Sequence, residues 1–386
     1  MTDKKLRVGM IGVGGMGSGH CGTITSDVPE MTLAAVADTD KTQADKVAQD
    51  FNVPCFATWR ELVESGCCDA VIVAVPHPFH PEIAIAAMQS GLHVLTEKPL
   101  SERVGTADKM LSAAREYDRV LAVMFQQRFA GPFAKAIEIA RSGQLGKIRR
   151  TMAVIPDYRS QAYYDAGGWR ATWKGEGGGV LINQSPHAMD VFVQIAGLPE
   201  KVRARVSTRL HDIEVEDCAD ALLTYAGGAI GYVYCSTIEP SGEMFFEVYG
   251  DKARMRVAGG KVVLKTYDPP VEEYTRTCAD MWARYGAKEA PVEYSTDWPN
   301  HKAVMANFAR HILHGEELLC SGQSALGQLE MANAMILSGH TGEEVSLPVD
   351  RAAYDALLER LRVTGRDPVS AGGDKRETDP SFAKSS

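Results

Sequence analysis

The sequence lacks several features that would assign it to other classes of protein. Its 386 residues contain no apolar run near the roughly 20 residues that a helix needs to cross a bilayer. No block of Lys and Arg exceeds two or three residues and the net charge is -9, so we expect no nucleic-acid partner. The eight cysteines form no Cys-x-x-Cys pair, so we expect no metal site.

The chain also lacks an internal repeat, and no apolar signal-peptide segment follows Met1. Scattered cysteines suit a reducing compartment, so we expect a cytoplasmic protein without a membrane partner. Hydrophobic residues make up 45% and charged residues 24%, which is typical of a globular chain. Its length is sufficient for two domains.

A glycine-rich turn follows the first predicted strand, residues 7–11, and opens a predicted helix. This is the context in which a Gly-x-Gly-x-x-Gly pattern binds a dinucleotide. The glycines allow a tight turn and a close approach to pyrophosphate, and the helix N-terminus attracts its charge. The alternative is a chance glycine-rich turn. The expected cofactor contacts are Gly12, Gly14, Gly15, Met16 and Gly17.

Two carboxylates follow the second predicted strand, residues 33–37. Asp38 lies about 20 residues beyond the glycine turn, where a carboxylate accepts hydrogen bonds from the ribose hydroxyls. Asp40 adds a second negative charge that would repel a 2′-phosphate. We therefore expect NAD rather than NADP as the cofactor, with Lys41 softening the preference.

Further strands predict a doubly wound Rossmann domain over residues 1–128. Residues 70–75 form a continuous apolar run, as expected of a buried parallel strand, and later strands end before Glu97 and Gln126. Strand ends at the carboxyl edge bind ligands. His77 and His80 contact either the nicotinamide half or only the backbone. The expected cofactor contacts at this edge are Val75, Pro76, His77, His80, Glu97, Lys98 and Gln126.

Lys98 follows a predicted strand, residues 93–96, and precedes Pro99, which fixes the turn. A lysine beside a cofactor cleft is a candidate proton carrier, because burial and neighbouring charges lower its pKa. The alternative is that Glu97 and Lys98 are only a solvated charge pair.

The second domain, predicted over residues 129–365, has short alternating segments separated by hairpin-type turns. These segments predict an antiparallel meander. A wide apolar sheet face without covering helices would need a partner, so we expect a homo-oligomer. Residues 366–386 are polar, and we expect a disordered tail or an inter-subunit arm. The meander segments are residues 202–209, 221–225, 229–237, 244–249 and 253–257.

A glycine-led helix carries the second candidate for proton transfer. Asn183 and His187 are four residues apart and are predicted to share one helix face, with Pro186 kinking the helix between them. Asp190 lies one turn beyond. A lone histidine on an amphipathic helix is more often structural, and that alternative remains open.

Aromatic and arginine side chains alternate over residues 157–174. Rings suit the CH face of a sugar and arginine suits its hydroxyls, whereas the alternative is packing within the domain interface. The site candidates here are Tyr158, Trp169 and Arg170.

Taken together, Gly12 to Gly17, Asp38, the turn from Pro76 to His80, Glu97-Lys98-Pro99 and residues 177–190 resemble the Gfo/Idh/MocA oxidoreductases. This family includes glucose-fructose oxidoreductase and inositol dehydrogenases. The resemblance extends over residues 5–350. It implies an α/β fold, with an N-terminal Rossmann parallel sheet and a C-terminal α+β domain whose large, mostly antiparallel open sheet makes a dimer or tetramer contact.

The resemblance also implies roles for particular residues. Lys98 and His187 would hold the reacting carbinol, and one would take its proton as hydride passes to nicotinamide C4. Many members have aspartate where this chain has Asn183, which carries no charge to raise the pKa of His187, so part of the base role moves toward Lys98 or toward a His187 oriented by a different partner. Trp169 and Arg170 resemble the loop that reaches the nicotinamide pocket. The expected substrate contacts are Lys98, Arg128, Tyr158, Trp169, Arg170, Asn183 and His187.

The expected activity is NAD-dependent oxidation of a secondary hydroxyl on a sugar, sugar derivative or cyclitol. One alternative is a glycosidase or lyase that oxidises its substrate only transiently and recycles NAD, which would release aglycone without net NADH. A second alternative is a cofactor-sensing regulator without catalysis, against which Lys98 and His187 both argue.

The two carboxylates behind the second strand give the first testable prediction. We expect a higher kcat/KM with NAD than with NADP, because Asp38 and Asp40 would repel the 2′-phosphate. Steady-state kinetics with both cofactors and one substrate measure the preference. Better kinetics with NADP would show that these carboxylates do not select the cofactor.

Overall fold

The N-terminal part of the chain alternates strands with helices in a computed structural model, which describes residues 4–367. Its strands are β1 (Leu6–Ile11), β2 (Met31–Ala37), β3 (Cys55–Phe56), β4 (Ala70–Val73), β5 (His93–Thr96) and β6 (Leu121–Val123). Its helices are α1 (Gly15–Asp27), α2 (Lys41–Phe51), α3 (Trp59–Glu64), α4 (His80–Gln89) and α5 (Val104–Glu116).

These six strands form one parallel sheet in the order β3-β2-β1-β4-β5-β6. The order reverses between β1 and β4, which is the switch point where open α/β sheets bind ligands. The carboxyl ends of all six strands share one edge, so residues that follow β1, β2, β4 and β5 meet there. The predicted parallel Rossmann sheet is confirmed.

The rest of the chain builds a mixed sheet with helices. Its strands are β7 (Ile148–Pro156), β8 (Lys201–Ser207), β9 (Cys218–Thr224), β10 (Ile230–Ser236), β11 (Phe245–Gly250), β12 (Ala253–Ala258), β13 (Lys261–Thr266), β14 (Lys288–Ala290) and β15 (Val345–Ser346). Its helices are α6 (Gly131–Arg141), α7 (Gln161–Asp165), α8 (Pro186–Ala196), α9 (Val271–Thr277), α10 (Asn300–His314), α11 (Gly322–Thr341) and α12 (Arg351–Thr364).

The nine strands pair in the order β14-β13-β12-β11-β7-β10-β9-β8-β15. Every pair is antiparallel except β7 with β10, so the mostly antiparallel sheet is confirmed. The predicted segments match β8 to β12, but β7 lies between β10 and β11, so the prediction of one continuous antiparallel meander was wrong. The central strand β7 was not predicted, because it joins the sheet only through partners about 80 to 100 residues away.

The two faces of this sheet have different surroundings. Helices α6, α8 and α11 pack against one face and cover its apolar side chains. The other face is open and mixes rings with charges: Arg150 lies 4.3 Å above the Tyr249 ring and Arg256 lies 4.0 Å above the Phe245 ring. The open face also carries the apolar residues Leu222 and Ile230, each 62% exposed, so the expectation that this face needs a partner stays a prediction.

The last helices return to the Rossmann sheet. Helix α10 packs against α1, and α11 packs against α5 and β6. The Val123 amide donates to the Cys320 carbonyl at 2.9 Å, which extends the sheet edge. No helix within residues 4–367 is long and apolar enough to cross a membrane. Most of the predicted tail, residues 366–386, lies outside the described residues.

A buried ion pair joins the end of the Rossmann unit to the second sheet. Arg128 donates to both carboxylate oxygens of Asp190 on α8, at 2.6 and 2.5 Å, and also to the Leu319 carbonyl and Ser324. Its side chain is 4% exposed. The guanidinium therefore makes its hydrogen bonds to protein groups, and the structure does not support Arg128 as a substrate contact.

Removing one member of this pair should destabilise the fold. Arg128→Met leaves the Asp190 carboxylate buried without a counter-charge, so the free energy of unfolding should fall by roughly 3–5 kcal/mol in denaturant titrations. Arg128→Met/Asp190→Leu should recover part of that loss.

The matched control is Arg7→Met, which removes the ion pair between Arg7 and Asp69 at the surface. It should change stability much less than Arg128→Met. Equal losses in the two variants would contradict a linking role for the buried pair.

Candidate active site

The glycine turn has the geometry that a bound pyrophosphate requires. Gly12 has φ +84°, and a Cβ there would lie 2.4 Å from the Ala74 carbonyl oxygen. A Cβ on Gly17 would lie 1.9 Å from the Gly12 carbonyl oxygen. Helix α1 begins at Gly15 behind Gly14, which provides no side-chain cap. The first backbone N–H groups of α1 therefore suit phosphate oxygens.

Asp38 stands directly behind β2 beside this turn. Its Oδ2 accepts from the Val13 amide at 2.8 Å, and its Oδ1 accepts from the Asp40 amide at 2.9 Å. The Asp40 side chain caps α2 by accepting from the Gln43 amide, and Lys41 pairs with Asp45 at 2.6 Å. Asp38 thus lies at the position expected for a ribose contact, whereas Asp40 and Lys41 both have local partners.

The two histidines behind β4 have different surroundings. Both ring nitrogens of His80 face backbone carbonyls, at 2.9 Å from Pro99 and 2.8 Å from Val75, which matches the backbone alternative. His77 Nδ1 lies 3.2 Å from the Glu176 carbonyl, and its ring packs edge-on against Trp169 at 4.9 Å. His77 therefore links the Rossmann edge to the second part of the chain.

Glu97 and Lys98 do not form a solvated pair. Glu97 is 8% exposed, and its Oε1 accepts from Nε2 of His20 on α1 at 2.6 Å. Burial opposes ionisation of Glu97, but the hydrogen bond and charge of His20 hold its pKa below the ordinary value. Sequence reasoning missed His20, because only tertiary folding brings α1 against the end of β5.

The Lys98 ammonium reaches across to the turn before α8. Its Nζ donates to the Asn183 carbonyl at 2.8 Å and to Asn183 Oδ1 at 3.2 Å. Burial lowers the pKa of Lys98, while the charges of Glu97 and Glu176 oppose that shift. Lys98 is only partly buried among fully buried neighbours, so a further N–H of the ammonium can meet a ligand in the cleft.

Asn183 does not share a helix face with His187, because α8 begins only at Pro186. Proline lacks a backbone N–H and suits the first helical position, so Pro186 starts the helix rather than kinking it. Before it, the Ser185 hydroxyl and amide both bond to the Val180 carbonyl and form a turn. This turn presents Asn183 to Lys98.

His187 lies in the first turn of α8 and is the only residue from 181 to 190 that is not fully buried. Its ring packs edge-on against Phe125 at 5.8 Å, and its Nε2 lies 3.5 Å from Gln126 Nε2. Burial, with the Lys98 charge, lowers the pKa of His187 to about 3. The imidazole is therefore neutral, whereas Lys98 is a basic group whose pKa burial lowers.

The aromatic segment lies beside these residues. Trp169 packs on His77, and the Arg170 guanidinium lies 4.8 Å above the Tyr163 ring. The Tyr163 hydroxyl lies 3.4 Å from Asn183 Nδ2. The packing of Trp169 on His77 matches the interface alternative, and the site role of Arg170 stays a prediction. Tyr158 is 47% exposed behind β7.

Several buried polar atoms around the cleft have no hydrogen-bond partner among residues 4–367. Such atoms are rare in folded proteins and suit a site that a polar ligand completes. Together with the open amides of α1, they fit a dinucleotide and a hydroxylated substrate. They are Gln126 Oε1, Gln184 Oε1, Arg170 Nε and His187 Nδ1.

A glycine-rich phosphate-binding turn, a carboxylate just after β2 and a lysine just after β5 are together typical of a dinucleotide-dependent oxidoreductase. Residues 6–125 match the family profile described as "Oxidoreductase family, NAD-binding Rossmann fold". Residues 133–256 match the one described as "GFO/IDH/MocA C-terminal domain". The chain belongs to the GFO/IDH/MocA oxidoreductase family, as the sequence motifs indicated.

Named relatives are consistent with this assignment. Inositol 2-dehydrogenase of Rubrobacter xylanophilus is 27% identical over 66% of this chain and 72% of its own. D-glucoside 3-dehydrogenase of Escherichia coli is 30% identical over 52% of this chain and 56% of its own. WlbA dehydrogenase of Bordetella pertussis, solved with NADH and UDP-GlcNAcA, is 26% identical over 90% of this chain and 100% of its own, with a TM-score of 0.76.

The matched region spans less than two thirds of the length of several curated relatives. It covers 47% of an uncharacterised oxidoreductase of Schizosaccharomyces pombe. The substrate and partners of this chain therefore remain matters for proposal.

The neutral state of His187 is directly testable by NMR. Its Cε1–H resonance, assigned by its loss in His187→Gln, should hold one position from about pH 5 to about pH 8, because a lowered pKa keeps the ring unprotonated throughout. A titration midpoint near the ordinary histidine value of about 6.5 would contradict this assignment of charge.

Proposed function

We propose that this protein oxidises a secondary hydroxyl of a sugar, sugar derivative or cyclitol, with NAD as hydride acceptor. One observation carries the proposal: the Lys98 ammonium and the neutral His187 ring both lie at the carboxyl edge of the dinucleotide sheet. The names of the inositol 2-dehydrogenase and D-glucoside 3-dehydrogenase relatives support this substrate class.

Lys98 and His187 would have different roles because their pKa values differ. His187, with a pKa of about 3, is a poor base and would orient the hydroxyl by a hydrogen bond. Lys98, whose pKa burial lowers, would take the hydroxyl proton in its neutral form and then stabilise developing negative charge as the ammonium. The glycine turn and Asp38 would hold NAD, which would supply the hydride acceptor, nicotinamide C4, for the carbinol carbon.

Three further features belong to the same proposal. Asp38 favours NAD over NADP, because its carboxylate would repel a 2′-phosphate. The open face of the nine-stranded sheet would contact a second copy of the chain through its paired arginines and aromatic rings. A cytoplasmic location fits the scattered cysteines, all of which are free.

The activity test follows NADH at 340 nm with a panel of inositols, hexoses, anhydrosugars and glycosides. Lys98→Ala should lower kcat at least roughly 100-fold on the active substrate, because it removes the general base. Lys109→Ala, at an exposed position of α5, is the matched control and should leave kcat unchanged. An unchanged kcat in Lys98→Ala would overturn the role of Lys98.

A further inference from the structure

Glu176 is a buried carboxylate that the steps above do not use. It is 0% exposed and immediately precedes the glycine turn that leads to α8. One carboxylate oxygen accepts from the Ala171 amide at 2.7 Å, and the other accepts a close hydrogen bond from Asn183 Nδ2. Burying a carboxylate without a direct cationic partner costs folding free energy, so its position beside the cleft suggests a functional role.

The Asn183 amide connects this carboxylate to Lys98. Its oxygen accepts from Lys98 Nζ at 3.2 Å, while its nitrogen donates to Glu176. An amide has an acceptor end and a donor end, so a cation on one side and an anion on the other fix its orientation. The Lys98 ammonium, the Asn183 amide and the Glu176 carboxylate are therefore connected by consecutive hydrogen bonds.

We propose that Glu176 is a positioning residue for Lys98, which it holds through the Asn183 amide and to which it supplies a negative charge. It would thus provide in this chain what an aspartate at position 183 would provide directly. The inference rests on the proposed function, in which Lys98 exchanges the proton.

Neighbouring charges affect the pKa values of Glu176 and Lys98. Burial raises the pKa of Glu176 to about 7, while Arg170 opposes that shift and Glu216 adds to it. Lys98 also faces Glu97, which His20 holds, as well as Arg170 and Asp157. Above about pH 7 Glu176 is ionised and favours the ammonium, so removing its charge should lower the pKa of Lys98.

The test separates the charge of Glu176 from its shape. Glu176→Gln keeps the shape of the side chain but carries no charge and can accept from only one of Ala171 and Asn183, so the rising limb of the kcat/KM pH profile should move down by roughly one pH unit. Glu216→Gln is the matched control, because Glu216 is also buried but accepts from Gly179 and Leu181. An unmoved limb in Glu176→Gln, or an equal shift in Glu216→Gln, would overturn the proposal.

A relocated charge provides a second variant if Glu176→Gln does not fold. Glu176→Gln/Asn183→Asp exchanges amide and carboxylate, preserves their hydrogen bond and places the charge directly against Lys98. Its rising limb should lie at or above the wild-type position. A limb well below the wild type would show that Lys98 does not sense this charge.

A measurement without turnover separates this inference from the proposed function. The pKa of Lys98 can be followed by NMR of ¹³Cε-labelled lysine in the enzyme alone, with Lys98→Arg assigning the resonance. A lower Lys98 pKa in Glu176→Gln supports the inference even if Lys98→Ala remains active and the proposed function fails. An unchanged Lys98 pKa overturns the inference whatever the activity.

Discussion

The placement of one cation, the Lys98 ammonium, constrains the rest of the site. Removing an ammonium from water is costly unless hydrogen bonds and opposite charge compensate. Here the second part of the chain provides the acceptors, because Lys98 Nζ bonds to both oxygens of Asn183. That contact ties the end of β5 to the turn before α8, and α8 in turn places His187. The His20 to Glu97 pair holds the lysine's own strand end in position.

The same cation explains why the two candidate proton carriers differ. Lys98 is one of the charges that lower the pKa of His187, after burial. Burial keeps the histidine neutral, and the repulsion that a second cation would meet beside Lys98 acts in the same direction. Glu176 and Glu97 both favour the charged lysine. The result is a site in which the base and the orienting group are chemically distinct.

The features that could be predicted from the sequence are those that depend on short stretches of residues. The glycine turn, Asp38 and the strand ends at Glu97 follow from short-range rules, and the structure places them as expected. The expected kink at Pro186 was wrong, because proline suits a first helical position and α8 begins there. The local sequence does not predict the pairing of Arg128 with Asp190, because the two residues lie 62 positions apart. His20 and Glu176 were missed for the same reason, although an acidic residue directly before three glycines was a usable signal.

The central claim is that Lys98, rather than His187, titrates during catalysis. The most direct test is the pH dependence of hydride transfer in single-turnover experiments on the wild type and His187→Gln. The account predicts a slower reaction in the variant, because the hydroxyl is less well oriented, with the same apparent pKa. A variant profile that has lost its ionisation would contradict the account, because the histidine would then be the titrating base.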